Sequence, residues 1–185
     1  MKTYPVGLVV EGRPCLVVGG GPVAARKAQG LLDGGASVTV VAPDVSPAMG
    51  ALAGVHIEKR AYRAGDAAAY RLVIAATNDP AVNAAVHADA EASGVWVNAA
   101  DDPDHCSVVL PAVLRRGSVT IAVSTGGDSP ALAVWLRDRI ADIVGPDFAD
   151  VAAELAGRRR AIHAGGVSTE ATDWRAVIEQ LVAAS

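Results

Sequence analysis

Cysteine is scarce in this chain: Cys15 and Cys106 are the two in 185 residues. So low a count excludes a disulfide framework, and Cys15, inside the apolar run Pro14 to Val18, reads as a buried strand thiol. Long hydrophobic runs are missing too. Nothing approaches the roughly 20 apolar residues that span a bilayer, so no membrane partner is expected. Positive charge is not in excess either: 16 Lys+Arg stand against 20 Asp+Glu, a formal net charge of −4. That argues against any partner held by a general basic field, and no nucleic acid is expected. No His or Cys pair stands at metal-ligand spacing, so no protein-held metal is expected. The N-terminal MKTYPVGLVVEGR has too short an apolar stretch and too early a charge for a signal peptide, which makes cytoplasmic the expected location. Internal repeats, low-complexity tracts and long linkers are lacking as well.

What is present is a globular composition, 51% hydrophobic and 19% charged, arranged as alternating strand and helix patterns. Pro14 to Val18 is apolar on both faces, as a central parallel strand must be. From Pro22 to Asp33 the residues Val23, Ala24, Lys27, Ala28, Leu31 and Leu32 recur at helical spacing, and Gly34-Gly35 ends the helix. Strand, helix and strand patterns then recur at Ser37 to Val41, Val55 to Glu58, Leu72 to Ala75, Pro80 to Ser93 and Val95 to Val97. This alternation predicts an α/β fold, a doubly wound Rossmann-like parallel sheet. After Asn98 the pattern changes. Two apolar strands, Val108 to Leu110 and Val119 to Val123, are expected to be joined by Arg115-Arg116-Gly117. A helix from about Pro130 to Val144 follows and Gly145-Pro146 stops it. The tail reads as helical, with a loop around Gly165-Gly166. The expected division is a Rossmann domain over 1–112, a second region over 113–146 and a helical C-terminal region over 147–185.

The strongest local motif is Gly19-Gly20-Gly21-Pro22-Val23-Ala24, a G-x-G-x-x-A between a strand and a helix. Gly19 permits a tight turn, Gly21 lets the backbone approach a pyrophosphate, and Ala24 lets helix and sheet pack closely. Amides at the helix N-terminus would hold the phosphate charge. The acidic residue that grips an adenosine ribose should stand about twenty residues past the glycines. Here that place reads Val41-Ala42-Pro43-Asp44, so Asp44 arrives late, and ribose recognition uses it or backbone groups. No arginine waits there for a 2′-phosphate, which favours NAD over NADP. Thr77 and Asn78 follow a strand at the edge where cofactors lie, and read either as nicotinamide contacts or as part of a cap on the helix from Pro80.

Asp101, Asp102, Asp104 and His105 cluster where the last strand of the nucleotide unit ends. They read as a solvated turn or as acid–base groups, with Asp101 nearest the strand end. Ser124, Thr125 and Gly126 open a second glycine turn before a helix. They would bind a substrate carboxylate, or merely lead into a helix capped by Ser129. Arg115 and Arg116 read as a solvated hairpin turn, and His56, His87 and His163 are assigned no role. The Tyr-x-x-x-Lys pair of short-chain dehydrogenases is absent, since Leu8, Asp66 and Ile74 stand four residues after Tyr4, Tyr62 and Tyr70.

Together these segments resemble the precorrin-2 dehydrogenase family, which includes the N-terminal region of siroheme synthases. The stretches that carry the resemblance are YPVGLVVEGRPCLVVGGGPVAARKAQGLLDGGASVTVVAP, VIAATNDPAVN and VNAADDPDHCSVVLPAVLRRGSVTIAVSTGGDSPALAVWLRDRI, in family order over residues 4 to about 140. The resemblance implies NAD-dependent oxidation of precorrin-2 to sirohydrochlorin, in siroheme or cobalamin synthesis, by a homodimer whose dimerisation region is 113–146. It places Asp101 where the family carries an essential aspartate, a general base or proton acceptor. Pro22-Val23 and Pro43-Asp44 fall where the family contacts NAD, and Thr125 where some members carry a phosphorylatable serine. Some relatives also insert iron into sirohydrochlorin; dehydrogenation alone is the favoured expectation. The competing class is a non-catalytic NAD-binding regulatory module, which leaves Asp101 and the Ser124–Gly126 turn without a task.

Overall fold

The computed structural model describes residues 2–166, 168, 170 and 172–183. They divide into two compact units, one of residues 2–110 and one from 111 onward. In the first unit, β1 (Pro14–Val18), β2 (Ser37–Val41), β3 (Val55–Glu58), β4 (Leu72–Ala75) and β5 (Trp96–Ala99) form one sheet in the order β3-β2-β1-β4-β5. Every neighbouring pair is parallel. All four residues of β4 are buried, as are Cys15 to Val18 of β1. Burial on both faces is what helices on both sides of a parallel sheet require.

One face is covered by α1 (Pro22–Asp33) and the short α2 (Pro47–Gly50), where Val17, Val40 and Ile74 pack with Ala24, Ala28 and Met49. Alanines at positions 24 and 28, both fully buried, keep the helix close to the strands. The other face is covered by α3 (Pro80–Ala92) and a 3-10 turn at Asp66–Ala69, where Leu16, Val73 and Val97 pack with Val86, Ala90 and Ala67. The doubly wound sheet expected from the strand–helix alternation is therefore present. The last strand runs Trp96–Ala99 rather than Val95 to Val97.

Asp89 of α3 fastens the connection between β3 and β4. Its carboxylate accepts from the Tyr62 hydroxyl and from the Gly65 N–H, the latter at 2.8 Å. Burial, and then this anionic acceptor, push the Tyr62 phenol well above its ordinary 10.0.

In the second unit β6 (Ala112–Arg116) and β7 (Val119–Val123) form an antiparallel hairpin, followed by α4 (Pro130–Ala141), α5 (Phe148–Ala164) and α6 (Trp174–Ala183). The strand expected at Val108 to Leu110 is not one. Val108 spends its N–H on the Val97 carbonyl at 3.0 Å and its side chain on the core of the first unit, and Pro111 has no N–H for a ladder. Arg115 and Arg116 lie inside β6 rather than in the turn, which Gly117 makes with φ 56°. Helix α4 ends at Ala141, short of the expected Val144.

The Tyr62 contact makes a prediction about alkaline stability. A phenol with a raised folded pKa contributes stability that is complete below its unfolded pKa and is lost as pH rises beyond it. Stability of the wild type, from urea midpoints, should hold to about pH 10 and fall as pH rises above it. In Tyr62→Phe stability at neutral pH should drop by about 1 kcal/mol and the alkaline fall should become shallower. An unchanged alkaline slope would contradict the assignment.

Candidate functional site

Strand register assembles the site before any side chain is considered. Val18 pairs with both Val41 and Ala75, and Ala75 pairs with Ala99. The four strands therefore end level, and the loops after them begin at Gly19, Ala42, Ala76 and Ala100. Gly21, Pro43 and Asp44, Thr77 and Asn78, and Asp101 all follow within a few residues on this carboxyl edge. The sheet order reverses between β1 and β4, and such a reversal opens the crevice in which α/β sheets hold ligands.

The glycines of the motif divide their work. A Cβ on Gly19 would stand 2.3 Å from the Ala76 carbonyl oxygen, and φ 125° there suits glycine alone. One on Gly20 would stand 2.0 Å from the Asp44 carbonyl oxygen. Gly21 is different: nothing lies within 4 Å of its Cβ position. It is the N-cap of α1, gives no side-chain cap, and is followed by Pro22. The first helical hydrogen bond runs from the Ala25 N–H to the Gly21 carbonyl at 3.0 Å, which leaves the Val23 and Ala24 amides directed out of the helix end. Open space over a positive helix terminus fits a pyrophosphate.

Asp44 is late because its loop turns back onto the glycines. The Ser46 N–H donates to the Gly20 carbonyl at 2.8 Å, and Pro43 and Asp44 are exposed at the rim. Thr77 is held by Asn83, a buried side chain of α3. Asn83 Oδ1 accepts from the Thr77 N–H (3.2 Å) and hydroxyl (2.8 Å), while Nδ2 donates to the Thr77 carbonyl at 3.1 Å. Asp79, not Asn78, caps α3, accepting from the Ala81 and Val82 amides. Asn78 is left exposed.

Among the described residues Asp101 alone is a non-glycine with positive φ, 61°. That conformation costs a side chain about 1 kcal/mol or more and gathers at functional sites. Its carboxylate is exposed, while that of Asp102 turns back to His105 Nδ1 at 2.6 Å. The His105 ring meets His87, a residue given no role from the sequence, edge-on with centroids 5.0 Å apart. Beneath the turn, Cys106 Sγ takes the Ala99 N–H at 3.2 Å and lies 3.2 Å from the Asp102 carbonyl. Burial pushes this thiol up. Asn98 and Lys27 complete the layer, joined at 3.3 Å. Asn83, Asn98 and Lys27 went unremarked as site residues in the sequence; Lys27 carried a signal, being the charged member of the inward stripe of α1.

Ser124, Thr125 and Gly126 lie in the second unit. Ser124 Oγ accepts from the Gly126 N–H (3.2 Å), Thr125 Oγ1 from the Ser129 N–H (3.0 Å), and Ser129 Oγ from the Leu132 N–H (3.3 Å). The turn is thus closed on itself and Ser129 caps α4. Among the described residues no group of three or more His, Cys, Asp or Glu is placed to hold a metal ion.

A glycine turn at the reversal point of a 3-2-1-4-5 parallel sheet defines a dinucleotide-binding α/β protein. Comparison with known proteins narrows this. A family described as NAD(P)-binding matches residues 6–112, and one described as sirohaem biosynthesis protein, central, matches 116–143. A siroheme synthase of Methylococcus capsulatus is 44% identical over 166 residues, 86% of this chain and 35% of that protein. One from Pseudomonas putida strain W619 is 44% identical over 163 residues, again 86% and 35%. The chain thus spans about a third of the length of these curated relatives. The solved structure of SirC, a precorrin-2 dehydrogenase, superposes with a TM-score of 0.75 at 31% identity, covering 91% of this chain and 84% of that one. The chain belongs to the siroheme synthase and precorrin-2 dehydrogenase family.

Packing at the three glycines separates folding from binding. Gly19→Ala and Gly20→Ala should each lower stability by about 2 to 4 kcal/mol, read from urea midpoints. Gly21→Val should keep the melting temperature within a few degrees but weaken NAD+ at least about tenfold by calorimetry. A Gly21→Val protein that binds as the wild type does would remove the pyrophosphate from this turn.

Proposed function

We propose that this chain oxidises precorrin-2 to sirohydrochlorin with NAD+, releasing NADH and a proton. The observation that carries the reading is the common strand edge, which puts the open Gly21 turn and the strained Asp101 at one crevice in a member of this family. NAD+, when bound, supplies the hydride acceptor. Gly19 sets the turn, Gly21 leaves the opening, and the amides of Val23 and Ala24 behind Pro22 attract the pyrophosphate charge. Pro43 and Asp44 border the adenosine end, and with no arginine there the preference is for NAD+ over NADP+. Thr77, fixed by Asn83, and Asn78 border the nicotinamide end. Asp101 takes the proton that the macrocycle gives up as the hydride leaves, and its exposure lets it reach a large substrate. Ser124, Thr125 and Gly126 are the proposed holders of a substrate carboxylate.

The working protein is a homodimer. In the unit from 111 onward, Leu114, Ala133 and Val151 are the buried hydrophobics among the described residues, while Leu132, Trp135 and Ile143 are 47%, 58% and 78% exposed. So small a core and so much apolar surface call for a partner, and a second copy supplies one by symmetry. The dimerisation region is 113–146, with 147–185 as the helical end of the chain. No helix among the described residues is long and apolar enough to cross a membrane, and a cytoplasmic setting suits a diffusible cofactor.

Incubation with precorrin-2 and NAD+, followed by NADH absorbance, tests the activity. NAD+ binding without NADH formation would leave a nucleotide-binding module instead. Asp101→Asn keeps a residue that tolerates left-handed backbone and removes the charge. It should bind NAD+ as the wild type does and turn over about 100-fold more slowly or worse. Full activity in this variant would take the base off Asp101. Light scattering at micromolar concentration should give twice the chain mass, and a monomer would sink the dimer.

A further inference from the structure

Something must hold Asp101 at φ 61°, and the ties of its turn converge on the next residue. Asp102 has φ −135° and ψ 85°, away from the helical region, where a following proline keeps it. Pro103–His105 then forms a single 3-10 turn, a geometry in which side chains three residues apart stand over one another. That turn returns His105 to Asp102. The His105 N–H donates to the Asp102 carbonyl at 3.2 Å, and His105 Nδ1 meets Asp102 Oδ2 at 2.6 Å. A carboxylate only accepts, so Nδ1 is the ring nitrogen that carries the proton and donates. Cys106 Sγ adds a third tie, 3.2 Å from the same carbonyl.

The imidazole is itself braced. His87, in the middle of α3, meets it edge-on, with ring centroids 5.0 Å apart and planes at 76°, a favoured packing for two rings. Helix α3 is fixed at its start by Asp79 on the Ala81 amide and by Asn83 on the Thr77 hydroxyl. A chain of contacts thus runs from α3 through His87 and His105 to Asp102, one peptide from Asp101. The side chains of Asp102 and His105 are 33% and 38% exposed. A pair so open to water adds little to global stability, so what it fixes is local geometry.

We propose that Asp102 and His105 are positioning residues: their hydrogen bond latches the turn after β5 and holds the Asp101 carboxylate in the left-handed position from which it takes the substrate's proton. This rests on the reading of Asp101 as the base. It gives the aspartate–histidine pair a task distinct from proton transfer, since the bonded Nδ1 anchors the ring and Asp101 makes the transfer.

Two substitutions separate an anchor from a proton carrier. His105→Leu keeps bulk and removes the donor, whereas His105→Asn places its Nδ2 where the imidazole Nδ1 stands. His105→Leu should lower kcat about tenfold, with the melting temperature within a few degrees and KM for NAD+ unchanged. His105→Asn should recover most of that loss. An equal loss in both variants would make the ring a proton carrier and overturn the proposal. In an Asp101→Asn background His105→Leu should change kcat by less than about twofold, because the group it positions is gone; losses that simply multiply would count against the latch. A second measurement needs neither substrate nor activity. By NMR, the Cα resonance of Asp101 should move toward its random-coil position in His105→Leu and stay in place in His105→Asn. A resonance that stays fixed in His105→Leu overturns the latch even in an active enzyme. Full activity in Asp101→Asn overturns instead the reading of the base on which the proposal rests.

Discussion

At the end of β1 the backbone of Gly19 lies against the Ala76 carbonyl and that of Gly20 against the Asp44 carbonyl, closer than any Cβ allows. These are contacts of main chain on main chain. They draw the loops after β2 and β4 onto the turn after β1, so three of the four segments that border the crevice are fixed to one another without any side chain. The Ser46 N–H on the Gly20 carbonyl adds a directed bond to the same arrangement. Gly21, one residue further, is freed from packing because its two neighbours have already done it. The opening at the helix end is thus a consequence of close packing beside it.

The alternation of strands and helices was legible because it depends on local periodicity. A buried parallel strand is apolar on both faces, and a covering helix is apolar on one. The glycine turn was legible for the same reason, since its spacing and its place between strand and helix are both sequential. Val108 to Leu110 misled because β-branched composition says that a segment suits a strand, not which partner it finds. Here the segment is taken by the Val97 carbonyl and by the core under β5. Least legible were the polar links. Lys27 meets Asn98 across 71 residues of chain, and nothing in either neighbourhood announces the other. Asp101 was singled out by its place after a strand; its backbone strain belongs to the fold and could not be read in advance.

The two units are stabilised unequally. The first has a hydrophobic layer on each face of its sheet, with central strands excluded from water. The second has a two-stranded hairpin and three helices, and a two-stranded sheet alone is marginal in water. Leu114 and Val151 are buried in it to the degree usual for a core, but Trp135 and Ile143 are not. A unit of this kind gains stability from anything that covers its apolar surface. The loops that border the nucleotide crevice, by contrast, all follow strands of the one sheet in the first unit.

Asp101 shows how the sheet supports a strained residue. Left-handed backbone at a non-glycine persists when its surroundings leave no cheaper arrangement. On one side, β5 pairs with β4 through Ala99, and the Ala100 N–H is bound by the Ala75 carbonyl at 2.8 Å. On the other, Asp102 is tied through its side chain to His105 and through its carbonyl to Cys106. Ser107 then closes the loop, its N–H on the Val97 carbonyl and its hydroxyl accepting from the Val97 N–H, both at 2.9 Å. With both flanks held, only the residue between them is left to make the change of direction. The strain at Asp101 is therefore a result of bonds made by its neighbours, and none of those bonds uses its exposed carboxylate.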